Sequence, residues 1–252
     1  MSLSAPMRGR WLSITFDDGF RKGAETAASI LGEHGLTATF YIVTGWVSPA
    51  RAKVREKFNR GCDHGDWAHW RSIRDASHEV GSHTFSHLNV TGKQARLFPW
   101  LVADELRKSR DDLVREAPQP LYTISMTWNA SSRRSDRIVR TLYHACRLGS
   151  GEVAYNDLGA LDPYRLASWA PAANTPPQVY DEAIASIPEG GWLILQFHSF
   201  DDEGWEPLSR ASFRALCETV RRHDDVKVAP VAQVIAQWRA PAPALADAAT
   251  RQ

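Results

Sequence analysis

The sequence predicts an α/β protein whose strands and helices alternate and close into a (β/α) barrel. Strand-like and helix-like segments alternate through most of the 252 residues, which is typical of parallel strands joined by helical crossovers. Roughly six or seven such units in about 240 residues fit a barrel better than a short open sheet. Titratable residues follow at least three of the strands, where barrel sites form. We find no linker, so we expect one domain over residues 1–240 and a low-complexity, disordered tail over residues 241–252.

Strands are predicted where short segments are apolar and rich in β-branched or aromatic residues. In chain order these segments are residues 11–16, 36–43, 79–83, 121–126, 191–197 and 226–230. Asp17 and Asp18 directly follow the first strand, and Gly19 then permits a sharp turn. His83 ends the third strand, and His198 directly follows the fifth.

Helices are predicted where apolar residues recur three and four positions apart. These segments are residues 22–31, 67–77, 95–116, 134–147, 178–187 and 231–238. A further helix begins after Ser209, which can act as its N-cap. Residues 44–66 are polar and irregular, and such long loops are often functional.

Charge and hydropathy argue against two classes of partner. The formal net charge is +1, from 30 basic and 29 acidic side chains, and no basic stripe is present, so we expect no nucleic-acid partner. No apolar run approaches the ~20 residues that span a bilayer, so we expect no membrane partner. Without a signal peptide before the first strand, we expect a cytoplasmic protein if Met1 is the natural start, and an extracellular or periplasmic one if the chain has been shortened. The sequence carries no signal for an oligomeric state.

Residues at the predicted strand ends point to one catalytic centre. The two histidines of "GSHTFSH", residues 81–87, are a weak signal alone, because 9 His in 252 residues give roughly 0.3 such pairs by chance. One carboxylate with two imidazoles, however, makes a three-ligand site with open positions, which suits Zn²⁺ or a similar divalent ion. A second carboxylate can then act as general base, and a histidine across the site as general acid.

Three motifs together resemble the polysaccharide deacetylase family, also called the NodB homology domain or carbohydrate esterase family four. They are "TFDDG" at residues 15–19, "HTFSH" at residues 83–87, and a late strand ending in "FH" at residues 197–198. The resemblance covers about residues 11–238 and implies a distorted (β/α) barrel with seven strands. It also implies a hydrolase that removes an N-acetyl group from an amino sugar in a glycan or oligosaccharide, using metal-activated water.

The resemblance assigns a role to each residue that matches a motif. Asp17 resembles the general base and His198 the general acid. The metal ligands, with zinc as the expected metal, would be Asp18, His83 and His87. An acetylated carbohydrate is the expected substrate.

The middle of the chain departs from the family pattern. The family usually carries an Arg-x-Pro-Tyr-like segment after a middle strand, where the arginine orients the base, but "TISMTWN" contains neither Arg nor Pro. Arg147 or Arg165 could replace that arginine, and spacing does not choose between them. Trp128 and Asn129 either shape a substrate pocket or pack at the strand end. Trp205 either covers a sugar ring or is one more packed aromatic residue.

Two alternative functions therefore stay open. The first keeps the chemistry and changes the substrate to an O-acetyl ester, an N-formyl group or another small amide. The second is a catalytically weak carbohydrate-binding relative that kept the fold. The missing arginine motif favours this second alternative, whereas the retention of all five core residues argues against it.

Overall fold

The structure is a computed structural model that describes residues 7–47, 62–201 and 203–240. Its strands belong to a single sheet with nine members in these residues. They are β1 (Arg10–Phe16), β2 (Thr39–Ile42), β3 (Glu79–Ser82), β4 (Thr123–Ser125), β5 (Ala145–Gly149), β6 (Tyr155–Asp157), β7 (Leu166–Ser168), β8 (Gly191–Phe197) and β9 (Val226–Val228).

Seven of these strands run parallel around a ring. Their order is β8, β1, β2, β3, β4, β5 and β7. A parallel bridge between Trp169 and Leu195 joins the end of β7 to β8, and the Gln196 amide donates to the Trp169 carbonyl at 2.8 Å. The ring is therefore nearly closed, as predicted for a distorted (β/α) barrel.

The sheet has nine strands where the resemblance implied seven. β6 pairs antiparallel with β8 on its outer side. β9 pairs with the first residues of β1, and β2 pairs with the last residues of β1. Two strands are thus added to the parallel ring without changing its order.

Helices connect the strands of the ring. They are α1 (Arg21–Glu33), α2 (Trp67–Asp75), α3 (Lys93–Leu97), α4 (Trp100–Glu116), α5 (Arg133–Leu142), α6 (Pro177–Ala185), α7 (Arg210–Arg222) and α8 (Val231–Arg239). Ser209 caps α7 as predicted, because its side chain accepts from the Ser212 amide. No helix within the described residues is long and apolar enough to cross a bilayer.

Two predicted helices are wrong in extent. Residues 95–116 contain α3 and α4 instead of one helix, and the break lies at Phe98 and Pro99, where proline restricts the preceding residue and supplies no amide donor. Residues 134–147 contain most of α5 and the start of β5. The tail, residues 241–252, and most of the loop 44–66 lie outside the described residues, and the single domain over residues 1–240 stays a prediction.

Strands β1 and β8 form the centre of the barrel wall. β8 is buried at every position, and it pairs with β1 from Trp11–Trp192 to Phe16–Phe197. This register brings the residues after the two strands side by side, and the Asp17 amide donates to the Phe197 carbonyl at 2.8 Å. The pairing therefore places Asp17 next to the position that precedes His198.

Candidate active site

Residues from three strand ends meet at one end of the barrel. Asp17 and Asp18 follow β1, His83 follows β3, and His198 follows β8. Because the ring strands are parallel, their carboxyl ends share one rim. His87 reaches the same place from the loop after His83.

Asp18, His83 and His87 form a compact group of possible metal ligands. One ligand atom from each lies within 4.8 Å of the other two. Asp18 Oδ1 lies 3.5 Å from Nε2 of His83 and 3.3 Å from Nε2 of His87. This oxygen is buried and has no hydrogen-bond partner among the described residues. A buried carboxylate oxygen between two imidazole nitrogens suits a tetrahedral divalent ion such as Zn²⁺.

His83 is held in the tautomer that a metal ligand needs. Its Nδ1 lies 2.9 Å from the Ser125 carbonyl, to which it donates. This leaves Nε2 unprotonated on the side of Asp18, and such outer hydrogen bonds commonly orient ligating histidines. Burial lowers the pKa of His83 to about 4, so the ring is neutral near pH 7.

His87 is positioned by aromatic rings. Its imidazole stacks on Trp46 with centroids 5.6 Å apart and 19° between the planes. Trp128 approaches His87 edge-on, also at 5.6 Å. The two contacts restrict rotation of the His87 ring and keep it beside His83, whose centroid is 5.1 Å away.

The backbone at the site adopts a conformation that non-glycine residues rarely use. Asp18 has φ 69°, and Thr84 and His87 both have φ 63°. Such left-handed residues cost of order 1–3 kcal/mol each and cluster at functional sites. Gly19 follows with φ 72°, and a Cβ there would lie 2.9 Å from the Ile42 side chain, so only glycine fits this turn.

A buried carboxylate from α4 holds the loop that carries both histidines. Glu105 Oε2 accepts from the amides of Phe85 and Ser86 at 3.1 and 2.8 Å. Its Oε1 accepts from the Ser86 hydroxyl at 2.5 Å. Glu105 is 8% exposed, so these bonds are shielded from water and fix the loop between His83 and His87.

Asp17 is buried and bound to a buried arginine. Arg147, on β5, donates through Nη2 to Asp17 Oδ2. Gln196, on β8, also donates to Asp17 Oδ2, through Nε2 at 3.1 Å, and accepts from Arg147 Nη1. Asp17 Oδ1 has no partner among the described residues. One oxygen is thus anchored by two donors, and the other is free to accept a proton.

The structure chooses between the two candidate arginines. Arg147 is 0% exposed and donates further bonds to Ser168 and Ser125. Arg165 is exposed and pairs with Asp136 at 3.3 Å. Arg147 therefore contacts the Asp17 carboxylate, as the arginine of the missing middle motif was expected to do.

His198 lies near the same site. It is half-buried. Burial acts to raise the pKa of Asp18, but the contact with His87 and the charges of the neighbouring histidines, His198 among them, hold that pKa below its usual range. Asp18 is therefore a carboxylate near pH 7.

The three predicted substrate residues have different surroundings. Trp128 is 67% exposed, has φ 60° and contacts His87, so it lies at the mouth of the site. Asn129 has φ 48° and packs over Gly149, where a Cβ would lie 2.3 Å from its Nδ2. Trp205 is 68% exposed, and its ring makes no stacking contact with the site histidines in the described part of the chain.

Sequence reasoning missed three residues that shape the site. Gln196 carried a usable signal, because it is the one polar side chain in "GWLILQF" and lies two residues before His198. Glu105 and Ser125 carried none, because their partners are distant in sequence.

Comparisons with known proteins find a matching family profile and similar solved structures. A family profile described as polysaccharide deacetylase matches residues 4–142. No match is found among curated proteins. A putative polysaccharide deacetylase from Mycobacterium smegmatis is similar in structure, with a TM-score of 0.63 and 15% identity over 95% of each chain.

Two other solved structures have the same fold. A family 4 acetyl xylan esterase from Clostridium thermocellum, in complex with a cobalt ion, gives a TM-score of 0.56 and 14% identity, over 90% of this chain and 91% of that chain. A CE4 family pseudoenzyme from Bacillus anthracis gives a TM-score of 0.56 and 17% identity, over 93% of this chain and 70% of that one. At these identities the likeness shows the fold alone.

Proposed function

The chain belongs to the polysaccharide deacetylase family, and we propose that it is a metal-dependent hydrolase that removes an N-acetyl group from an amino sugar in a glycan or oligosaccharide. One observation carries this proposal. A three-ligand group, Asp18 with His83 and His87, lies beside the buried carboxylate of Asp17, whose Oδ2 is anchored and whose Oδ1 has no partner among the described residues.

The three ligand residues would hold the metal. Asp18 offers an ionised oxygen, and His83 and His87 offer imidazole nitrogens, which is the donor set of catalytic zinc sites. Bound there, a divalent ion supplies a Lewis acid that polarises the acyl carbonyl and makes water more acidic. The cobalt complex of the structurally similar acetyl xylan esterase supports a divalent ion, and we propose zinc.

Asp17 acts as the general base. Its free Oδ1 takes a proton from the water that adds to the acyl carbon, while Arg147 and Gln196 hold Oδ2 in place. Because the carboxylate is buried and held on one side, it needs no reorganisation when the proton moves. A positioned base of this kind accelerates a reaction by about 10²–10⁴-fold.

His198 acts as the general acid. It donates its proton to the sugar nitrogen as the carbon–nitrogen bond breaks, so that acetate and an amine leave. Its position next to Phe197, whose carbonyl accepts from the Asp17 amide, supports this role, because His198 and Asp17 follow adjacent strand ends. The two groups can therefore serve one reacting centre from different sides.

Trp128 is the best candidate for a sugar platform. Its ring is exposed at the mouth of the site and held against a metal ligand by an unusual backbone conformation. The apolar face of a pyranose packs well on such a ring. Asn129, whose side chain packs over Gly149, stays a predicted substrate contact, and Trp205 stays a predicted contact for a longer substrate.

The alternatives use the same site. An O-acetyl ester or another small amide would need the same base and ligands. A carbohydrate-binding relative without catalysis has no physical need for the anchored Asp17, although a pseudoenzyme shares this fold.

Acetate release separates these functions. We would load the protein with zinc and assay N-acetylated and O-acetylated sugars, with and without a chelator. We expect chelator-sensitive release from N-acetyl sugars, reduced at least about 100-fold in Asp17→Asn and His198→Ala. Preference for O-acetyl sugars would assign an esterase. Tight sugar binding without release would assign a binding protein.

A further inference from the structure

Two hydrogen-bond donors beside the candidate site are buried and unpaired. They are Thr44 Oγ1 and Trp46 Nε1, and both lie in the short 3-10 turn Thr44–Trp46 that follows β2. Thr44 is 3% exposed and Trp46 is 2% exposed. In the described chain, seven buried side-chain atoms lack a partner, and four of them are these two donors and the Oδ1 atoms of Asp17 and Asp18. The unpaired atoms therefore concentrate on the loops after β1 and β2.

The turn that carries these donors is fixed to the loop of the histidine ligands. The Thr44 amide donates to the Thr84 carbonyl at 3.2 Å, and the Gly45 amide donates to the Phe85 carbonyl at 2.8 Å. The Trp46 ring stacks on the His87 imidazole. Both donors are thus held rigidly next to the group of possible metal ligands.

Unpaired buried donors are unusual and unfavourable. The great majority of buried polar atoms in proteins have a partner, and a donor without one loses its hydration with nothing in return. Two other buried tryptophans follow the rule. Trp70 Nε1 donates to the His64 carbonyl at 2.9 Å, and Trp192 Nε1 donates to Ser13 Oγ at 3.0 Å. Trp46 departs from this pattern at the place where a ligand would supply the acceptor.

We propose that Thr44 Oγ1 and Trp46 Nε1 form a specificity subsite that donates hydrogen bonds to the substrate. This inference rests on the proposed function and names a further part of the same site. The indole N–H can only donate, so its partner must be an acceptor oxygen. Two sources fit: the carbonyl oxygen of the acyl group, and a hydroxyl of the sugar ring.

The test removes each donor and keeps its shape. Thr44→Val and Trp46→Phe delete one O–H or N–H, and phenylalanine keeps a ring against His87. Trp192→Phe and Thr39→Val are matched controls, because each removes a buried donor that is bonded, far from the ligand group. We expect kcat/KM for a zinc-loaded enzyme acting on the N-acetylglucosamine tetramer to fall about 10–100-fold in the two site variants.

Folding stability gives a readout that does not depend on activity. Removal of an unpaired donor should cost little, so Trp46→Phe should lower the melting temperature less than Trp192→Phe does. Thr44→Val should likewise lower it less than Thr39→Val. A merely structural role for Thr44 and Trp46 would give the reverse order.

A comparison of two substrates identifies the oxygen that accepts these hydrogen bonds. If kcat falls for both the tetramer and 4-nitrophenyl acetate, the acceptor is the acyl carbonyl. If KM rises for the tetramer alone, the acceptor is a ring hydroxyl. Values of kcat/KM within about twofold of wild type on both substrates would overturn the subsite.

Binding separates this inference from the proposed function. In a zinc-loaded Asp17→Asn background, we would titrate the tetramer by calorimetry. If the wild type releases no acetate but both site variants bind the tetramer at least about 10-fold more weakly, the hydrolase fails and the subsite stands. If wild-type protein neither binds the tetramer nor releases acetate, both fail.

Discussion

Replacement of Arg147 by methionine removes the only cation that contacts the buried Asp17 in the described residues. Asp17 is 2% exposed and Arg147 is 0% exposed, so water cannot replace the lost bond. Breaking a buried pair from one side costs about 3–5 kcal/mol, because the remaining charge is left uncompensated. That is a large share of the about 5–15 kcal/mol that stabilises a typical domain.

The same change should impair the base. Without Arg147, only Gln196 holds Asp17 Oδ2, and a shift of about 1 Å in a catalytic group can cost about 100-fold in rate. Arg147→Lys keeps the charge, but a single ammonium cannot reach Asp17, Gln196 and the two serines that the guanidinium spans. We expect an intermediate rate for lysine and the lowest rate for methionine.

Urea unfolding and acetate release with zinc-loaded protein measure the two effects. Arg165→Met is the matched control, because its ion pair with Asp136 is exposed and such pairs contribute about 0–1 kcal/mol. A folded Arg147→Met protein that keeps wild-type kcat would refute the role of Arg147, even if its stability falls as expected.

Three further predictions follow from the site. In the metal-free protein, burial lowers the pKa of His83 from 6.5 to about 4. Between these pH values the unfolded chain binds a proton that the folded chain does not bind. The free energy of unfolding should therefore fall as pH drops from about 6.5 to 4, by at most about 1.4 kcal/mol per pH unit. Urea unfolding across this window should show a flatter slope for His83→Gln. Glu105→Gln should weaken zinc affinity about 10–100-fold by titration, and unchanged affinity would exclude its role in shaping the ligand loop. Trp128→Ala should raise KM for the N-acetylglucosamine tetramer about 10-fold, whereas replacement of the exposed Trp100 by alanine should not. Equal effects of the two variants on KM would show that Trp128 is not a sugar platform.

The sequence predicted the barrel and the meeting of the five core residues, because these depend on strong local patterns. Apolar runs mark β1 and β8 clearly, and in a parallel barrel the residues that follow such runs share one rim. The "TFDDG" and "HTFSH" motifs then limit which of those residues could act together. This prediction did not require knowledge of which strands pair with each other.

A misassigned element left the choice between Arg147 and Arg165 open. Ile138, Val139, Leu142 and Cys146 are spaced like one face of a helix, so residues 134–147 were predicted as helical. The chain instead leaves the helix at Leu142, because Ala145–Gly149 pairs with both β4 and β7. Pairing with two neighbouring strands overrides the weak local preference for a helix. Arg147 therefore lies on a strand, from which its guanidinium donates to Asp17.

The two strands after β5 gave no local signal. β6 and β7 are each three residues long and contain polar side chains. Their positions are set by β8 and β5, which are distant in sequence. The unpaired donors of Thr44 and Trp46 were also invisible, because only the folded chain shows which groups lack partners.

Equilibrium zinc titration, paired with acetate release, tests most directly whether Asp18, His83 and His87 hold a metal that catalysis requires. We expect about one zinc per wild-type chain, loss of that zinc in His87→Ala, and acetate release that a chelator abolishes and added zinc restores. A folded wild-type protein that binds no zinc, or that releases acetate equally well in the presence of the chelator, would contradict the proposed metal centre.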